Sequence, residues 1–237
     1  MDLPAVPSIE PLPALTWLLL CLASFASGSV PFGLIIARSK GVDLRAIGSG
    51  NIGATNVGRS LGRSWGVLVY LLDAGKGAVP VLVAGNMAGI IGVQPALLPT
   101  GALWWWLAVA VSAVLGHMYT PLAGMKGGKG VATGSGALMA IYPVLTIPVL
   151  VAVLAWGTML AFTRIMSASG MVAGITVPIA LVIATAVQRP EGSSVWQSLQ
   201  PAIPALVVSA VVAALVIWKH RSNLARIRAG TEPRVSL

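Results

Sequence analysis

The sequence predicts an all-α, polytopic integral membrane protein with seven transmembrane helices, its N-terminus outside and its C-terminus cytoplasmic. Three observations predict this. Of 237 residues, 57% are hydrophobic and only 9% charged, against about 25% charged in a soluble domain. Mean hydropathy is +0.89, so the apolar side chains exceed what one water-soluble core can hide and must face lipid. The apolar residues also fall into runs of roughly 20, the length a helix needs to cross about 30 Å of hydrocarbon.

The first run covers residues 12–37. Asp2 and Glu10 precede it, and no Lys or Arg does. A signal peptide carries a positive n-region, so this run reads as a retained span, with residues 1–11 periplasmic. Runs at 65–91 and 102–122 give the second and third spans. The stretch 131–163 would make a single helix about 50 Å long, too long for one bilayer without strong tilt. Pro143 and Pro148 interrupt its backbone ladder, so it reads as two short helices joined near 142–148. Runs at 168–187 and 202–218 complete the seven.

The basic residues test that count. Seven spans place Arg38, Lys40, Arg45, Arg59, Arg63, Lys126, Lys129, Arg164, Lys219, Arg221, Arg226, Arg228 and Arg234 inside, which is 13 of the 15 Lys and Arg. The other two are Lys76, within the second span, and Arg189, in an outside loop. Cytoplasmic segments carry such an excess, and a six-span layout fits it worse. The whole chain, 1–237, reads as one domain without internal repeats, ending in a polar tail from residue 228 expected to be loose.

The net charge of +9 comes with no nucleic-acid motif. Set between apolar runs, it points to membrane lipids and anionic substrates instead. The lone cysteine, Cys21, excludes a disulfide framework within the chain. No grouping of Cys, His and carboxylates suggests a metal, and nothing calls for a cofactor.

Two glycine-rich loops carry the chemical signal. The first runs Gly48, Ser49, Gly50, Asn51, Ile52, Gly53, Ala54, Thr55, Asn56, Val57, Gly58, Arg59. Its glycines let the backbone bend tightly and turn N–H groups inward. Ser49, Asn51, Thr55 and Asn56 add neutral donors, and Arg59 adds a planar fork suited to phosphate. Gly48, Gly50 and Gly53 also match a dinucleotide fingerprint, but that motif requires a strand before it and a soluble sheet. The second loop is Gly124, Met125, Lys126, Gly127, Gly128, Lys129, Gly130, opening a predicted helix. Helix N-termini attract anions. Ala123 stands where a Walker A loop ending at Lys129 needs Gly, so this is a phosphate loop of another kind.

Other features are weaker. At the turn 164–169, Arg164 reads equally as a topology charge or a phosphate ligand, and Ser169 as a ligand or a helix cap. The segment 219–228, with His220 and Asn223, reads locally as a basic interfacial helix. Asp73 and Lys76 share a face within the second span and read as a structural ion pair. Neither His117 nor His220 has an Asp five positions on, so the His-x-x-x-x-Asp dyad of acyl-CoA-dependent glycerolipid acyltransferases is missing. Near the glycine loops the only carboxylate in sequence is Asp43.

Taken together, Gly28-Ser29-Val30-Pro31-Phe32-Gly33, the 48–59 loop, Gly116-His117, the Lys126–Gly130 run and the His220-Arg221-x-Asn223 tail resemble the bacterial acyl-phosphate:glycerol-3-phosphate acyltransferases of the PlsY type. The likeness covers nearly the whole chain. It implies seven spans, an active site on the cytoplasmic face of the inner membrane, and acyl transfer from acyl phosphate to the sn-1 hydroxyl of glycerol 3-phosphate, giving lysophosphatidic acid. It places the family's functional residues on Ser49, Arg59, Lys129, His220 and Asn223. Gly50, Asn51, Thr55, Asn56, Lys126, Gly127, Gly128, Gly130, Arg164, Ser167 and Ser169 become its phosphate-binding surroundings. Gly170 departs from the family, standing where a second serine is expected. From the residues alone, a transporter of an organic phosphate is the competing reading. A membrane scaffold is a third, which leaves the glycine loops without a role.

Overall fold

The computed structural model describes residues 10–235, and every regular element among them is helical. Of the stretch 1–11 expected to be periplasmic, residues 1–9 lie outside the described part of the chain. The helices are α1 Ala14–Gly28, α2 Phe32–Ser39, α3 Ala54–Leu61, α4 Arg63–Met87, α5 Thr100–Met118, α6 Val131–Met139, α7 Thr146–Thr163, α8 Met166–Val187, α9 Val195–Leu199, α10 Ile203–Lys219 and α11 Arg221–Arg228.

Six stretches are long and apolar enough to cross a membrane: Ala14–Ser39, Arg63–Met87, Thr100–Ala123, Thr146–Thr163, Met166–Val187 and Val195–Lys219. The expected division of 131–163 is present, as α6, a bend and α7. However, α6 has only 9 residues, about 14 Å of helix, and does not span about 30 Å by itself. It begins beside the C-terminal turn of α5, where Gly130 approaches Val114 and Met118. The chain beyond it reaches the far end of the bundle, where the Tyr142 carbonyl accepts from Gly92 N–H at 3.1 Å. Large side chains such as Leu22, Leu154 and Phe162 are exposed on the outer surface, where lipid would meet them.

The bundle closes through small residues, as helices in lipid do. Gly28 of α1 lies against Ala113 of α5, and Gly116 of α5 against Phe25 of α1. At both points a Cβ would sit about 2 Å from a carbonyl oxygen of the facing helix (2.1 and 2.2 Å). Gly136 of α6 meets Ala74 of α4 in the same way, and Ser24 Oγ donates to Val109 O across the α1–α5 contact at 2.7 Å.

Prolines shape two elements. Pro31 separates α1 from α2 within the first span. Pro80 lies inside α4 and has no N–H for the Lys76 carbonyl. Ser27 Oγ supplies the missing donor at 2.9 Å, so the defect in α4 becomes a docking point for α1. A second, smaller core of Leu34, Ala37, Leu44, Ile52, Val57 and Val69 lies under the first glycine loop and fixes it to α2, α3 and α4.

The described chain starts and ends at opposite ends of the bundle. Glu10 and Leu12 share a cleft with Ala88, Pro99 and Trp105. The C-terminal segment lies with the glycine loops. The tail expected to be loose from residue 228 instead folds back, at least as far as Val235, whose N–H donates to Arg164 O at 2.8 Å.

Candidate active site

At the C-terminal end of the bundle a cleft gathers Ser49, Gly50 and Asn51 from the first loop with Lys126, Gly127 and Lys129 from the second. Lys219, Arg221, Ser222 and Arg226 close it from the C-terminal segment, with Arg45 at its edge. Six of these residues are cationic, and no carboxylate lines the cleft among the described residues. Such a surface attracts phosphate-bearing anions.

The first loop is held by its own amides. Gly48 and Gly50 adopt φ of 58° and 65°, the left-handed region that glycine enters without penalty. Asn51 Oδ1 accepts from Gly53 N–H at 2.9 Å. Asn56, expected as a phosphate ligand, is buried and fully spent on the loop. Its Oδ1 accepts from Ser49 N–H at 3.1 Å, and its Nδ2 donates to Leu44 O and Ile47 O. It braces the Ser49 turn. Thr55 stands on α3 away from the cleft lining. Arg59 also stands on α3, exposed, and donates to Pro233 O at 3.2 Å, so it meets the folded-back tail instead of lining the cleft.

The second loop is seated on α5. Gly128 N–H donates to His117 O at 3.0 Å, and the His117 ring lies so close that a Cβ on Gly128 would be 2.1 Å from Nε2. Gly130, with φ 85°, caps α6. Arg45 joins the two loops by donating to Ala123 O at 2.8 Å and to Lys126 O at 3.0 Å. In the sequence Arg45 reads only as a topology charge, because nothing local foretells that bridge.

Lys129 is tied into a chain of polar side chains from the C-terminal segment. Its Nζ contacts Asn223 Oδ1. Asn223 Nδ2 in turn donates to Glu232 Oε1 at 2.6 Å. Ser167 Oγ donates to the same oxygen at 2.7 Å, and Arg226 Nε to Oε2 at 2.7 Å. Burial alone would raise the Glu232 carboxyl. The hydrogen bonds from Ser167, Asn223 and Arg226, with the Arg226 charge, outweigh it and hold the group below the ordinary carboxylate range. Burial pulls the Lys129 ammonium down to about 8, opposed by Glu232 and assisted by Arg226 and Arg59.

Glu232 is the residue that sequence reasoning misses. Its signal is Gly230, which turns the chain at φ 70° just past α11 and returns the tail toward Arg226. Ser167, expected near phosphate, is engaged by that carboxylate. Ser169 is buried and bonded to Ile165 O at 3.0 Å within its own helix. Arg164 is exposed in a left-handed turn and contributes its carbonyl to the tail.

His220 is buried, with Nδ1 directed at Val216 O at 2.8 Å. Burial first, then the nearby Lys129 charge, lowers its imidazole to about 4. The ring is therefore neutral near pH 7. With Nδ1–H donating to Val216, Nε2 is the acceptor. It lies on the Gly170 side, 3.9 Å from where a Cβ on that residue would be.

The fold and this site define a class: an integral-membrane protein with a cationic cleft between two glycine loops, of a charge that suits phosphate-bearing anions. A sequence model of the glycerol-3-phosphate acyltransferase family matches residues 18–230. The chain is 41% identical to a glycerol-3-phosphate acyltransferase of Geobacter sulfurreducens over 219 residues, 92% of this chain and 96% of the relative. It is 39% identical to that of Thermus thermophilus over 226 residues, 94% and 96% of the two chains. The crystal structure of PlsY (YgiH), an integral membrane glycerol 3-phosphate acyltransferase in its glycerol 3-phosphate form, superposes with a TM-score of 0.76 at 36% identity, covering 93% of this chain and 96% of that one. Its lysophosphatidic acid form gives 0.74 at 35% identity with the same coverage. The chain belongs to the glycerol-3-phosphate acyltransferase family, and it is an acyltransferase of the PlsY type.

Proposed function

We propose that this acyltransferase moves a fatty acyl group from acyl phosphate to the sn-1 hydroxyl of glycerol 3-phosphate, giving lysophosphatidic acid and phosphate as the first step of phospholipid synthesis. The observation that carries the reading is the chain Lys129, Asn223, Glu232, which holds one half-buried ammonium at the wall of a cationic cleft.

Acyl phosphate is a mixed anhydride, so its leaving group is already good. The hydroxyl oxygen attacks the acyl carbonyl carbon, the bond from that carbon to the phosphate oxygen breaks, and the hydroxyl proton ends on the departing phosphate. The enzyme has mainly to bind two phosphates and align the reacting atoms. Lys126, Lys129 and the Ser49 turn supply phosphate contacts, and loop N–H groups stabilise the developing oxyanion. A neutral His220 with so low a basicity suits orienting the hydroxyl through Nε2 better than keeping its proton. That favours proton transfer to the substrate phosphate. Arg59, held by the tail, acts through its field unless substrate draws it inward.

We place the cleft on the cytoplasmic side of the inner membrane, with seven crossings. Support comes from the 13 basic residues assigned inside and from chain ends at opposite ends of the bundle, which an odd number of crossings requires. The segment from Gly130 to Tyr142 makes the short crossing. The test is conversion in proteoliposomes: labelled glycerol 3-phosphate with palmitoyl phosphate should yield labelled 1-acyl lysophosphatidate. Uptake of unchanged label into the vesicles without product would favour an organic-phosphate transporter.

A further inference from the structure

Deep in the bundle, Asp73 and Lys76 of α4 pair at 2.6 Å, with both side chains about 4% exposed. Ionisable groups at membrane depth are costly and persist where they do something. Each arm of this pair reaches a different glycine loop. Lys76 Nζ donates to Val30 O at 2.6 Å, in the break between α1 and α2. The Lys76 carbonyl, freed by Pro80, accepts from Ser27. The break is further tied to α5 by Thr120 Oγ1, which donates to Ser29 O. Beyond it, Gly33 of α2 lies against Ile52 of the first loop, where a Cβ would be 1.9 Å from Ile52 O. The break therefore sets α2, and α2 sets the first loop.

The other arm runs through His117. Its Nδ1 faces Asp73 Oδ1 at 3.8 Å, a charge–dipole contact beyond hydrogen-bond length, and has no hydrogen-bond partner among the described residues. The same residue carries the second loop, accepting from Gly128 N–H and packing its ring on the Gly128 Cα. A merely structural ion pair would not need to contact the supports of both loops.

We infer that the Asp73–Lys76 pair, acting through Val30 and His117, is a positioning device that sets the first glycine loop relative to the second and so fixes the distance between the phosphate-binding walls. This rests on the two loops being those walls.

The test replaces both charges at once, Asp73→Val with Lys76→Met, because a buried ion pair exchanged for apolar side chains of similar size usually leaves the fold intact, whereas removing one partner strands a charge. The purified variant should unfold near the parent temperature yet lose at least about tenfold in kcat/KM, mostly as a raised KM for glycerol 3-phosphate, since a displacement of about 1 Å in a bound substrate costs up to about a hundredfold. Lys76→Arg made alone, which keeps the ion pair with Asp73, should lose less of kcat/KM than the double variant. If the double variant does not fold, His117→Gln decides, with the same rise in KM expected at unchanged stability. Wild-type kcat and KM in the folded variant would overturn the inference. Lys129→Met is the control. If it keeps full activity, the reading of the loops as phosphate-binding walls fails instead.

Discussion

Glu232 Oε1 accepts from Asn223 Nδ2 at 2.6 Å, and this contact decides which way the Asn223 amide faces. With its nitrogen held by the carboxylate, its oxygen is left for Lys129. Glu232, six positions past Arg226 of α11, thereby orients a cation of the cleft. Glu232→Gln should break part of the arrangement, because its one amide oxygen can accept either from Asn223 and Ser167 or from Arg226, and the amide nitrogen put in place of the other oxygen accepts from neither side. We expect a loss of about 1–3 kcal/mol, the cost of stranding buried donors, read as a lowered thermal midpoint at pH 7, together with lost turnover. The sign with pH follows. A carboxyl depressed on folding stabilises the fold above its unfolded value of about 4.3, and that contribution is lost as pH falls through the folded value. The gap between parent and variant should therefore close in acid.

Lys129 sets an upper pH limit. Its ammonium titrates at about 8, and only the charged form attracts phosphate strongly. The kcat/KM for glycerol 3-phosphate should fall as pH rises through about 8, since this ratio reports groups of the free enzyme. Lys129→Met should remove that limb together with at least about a hundredfold of activity, as lost electrostatic contacts to a reacting centre do. A pH profile of both proteins checks this.

At His220 the two ring nitrogens have different surroundings, Nδ1 against Val216 O and Nε2 on the Gly170 side. His220→Gln places a polar atom near Nε2, and His220→Asn one near Nδ1. Turnover should survive better in the Gln variant, while the Asn variant keeps stability better. Because the imidazole titrates near 4, the parent should show no histidine limb between pH 5.5 and 7.5 (a window set by the ordinary value of about 6.5).

The glycines separate by what surrounds them. A Cβ on Gly127 would meet His117 O at 2.0 Å, and nothing lies within 4 Å of one on Gly157. Gly127→Ala should abolish activity by displacing the second loop. Gly157→Ala should leave turnover unchanged and add a few tenths to about 1 kcal/mol of helix stability. Parallel activity and thermal-unfolding measurements on the two variants check the contrast.

Much of the fold was legible in the sequence because lipid imposes one rule on every span: about 20 apolar residues with the polar backbone satisfied internally. The Asp73–Lys76 pair was legible for the same reason, since charges three apart in an apolar run have only each other. The division of 131–163 was legible from Pro143 and Pro148, but not that α6 stops at Met139 after nine residues, because it ends before the first of those prolines. Asn56 looked like a ligand because its type and loop suited phosphate, and only its burial shows that it braces the turn. Arg45 and Glu232 act across 78 and 65 residues, on Ala123 and Ser167 respectively, in polar segments with no periodicity to read.

The most direct measurement is a donor comparison on the purified protein, supplying labelled glycerol 3-phosphate with palmitoyl phosphate, palmitoyl-CoA or a palmitoyl acyl-carrier-protein thioester. Labelled lysophosphatidic acid is expected from palmitoyl phosphate alone, because the cleft offers phosphate contacts and a weakly basic histidine in place of a strong base. Product from a thioester, with none from the acyl phosphate, would contradict that expectation.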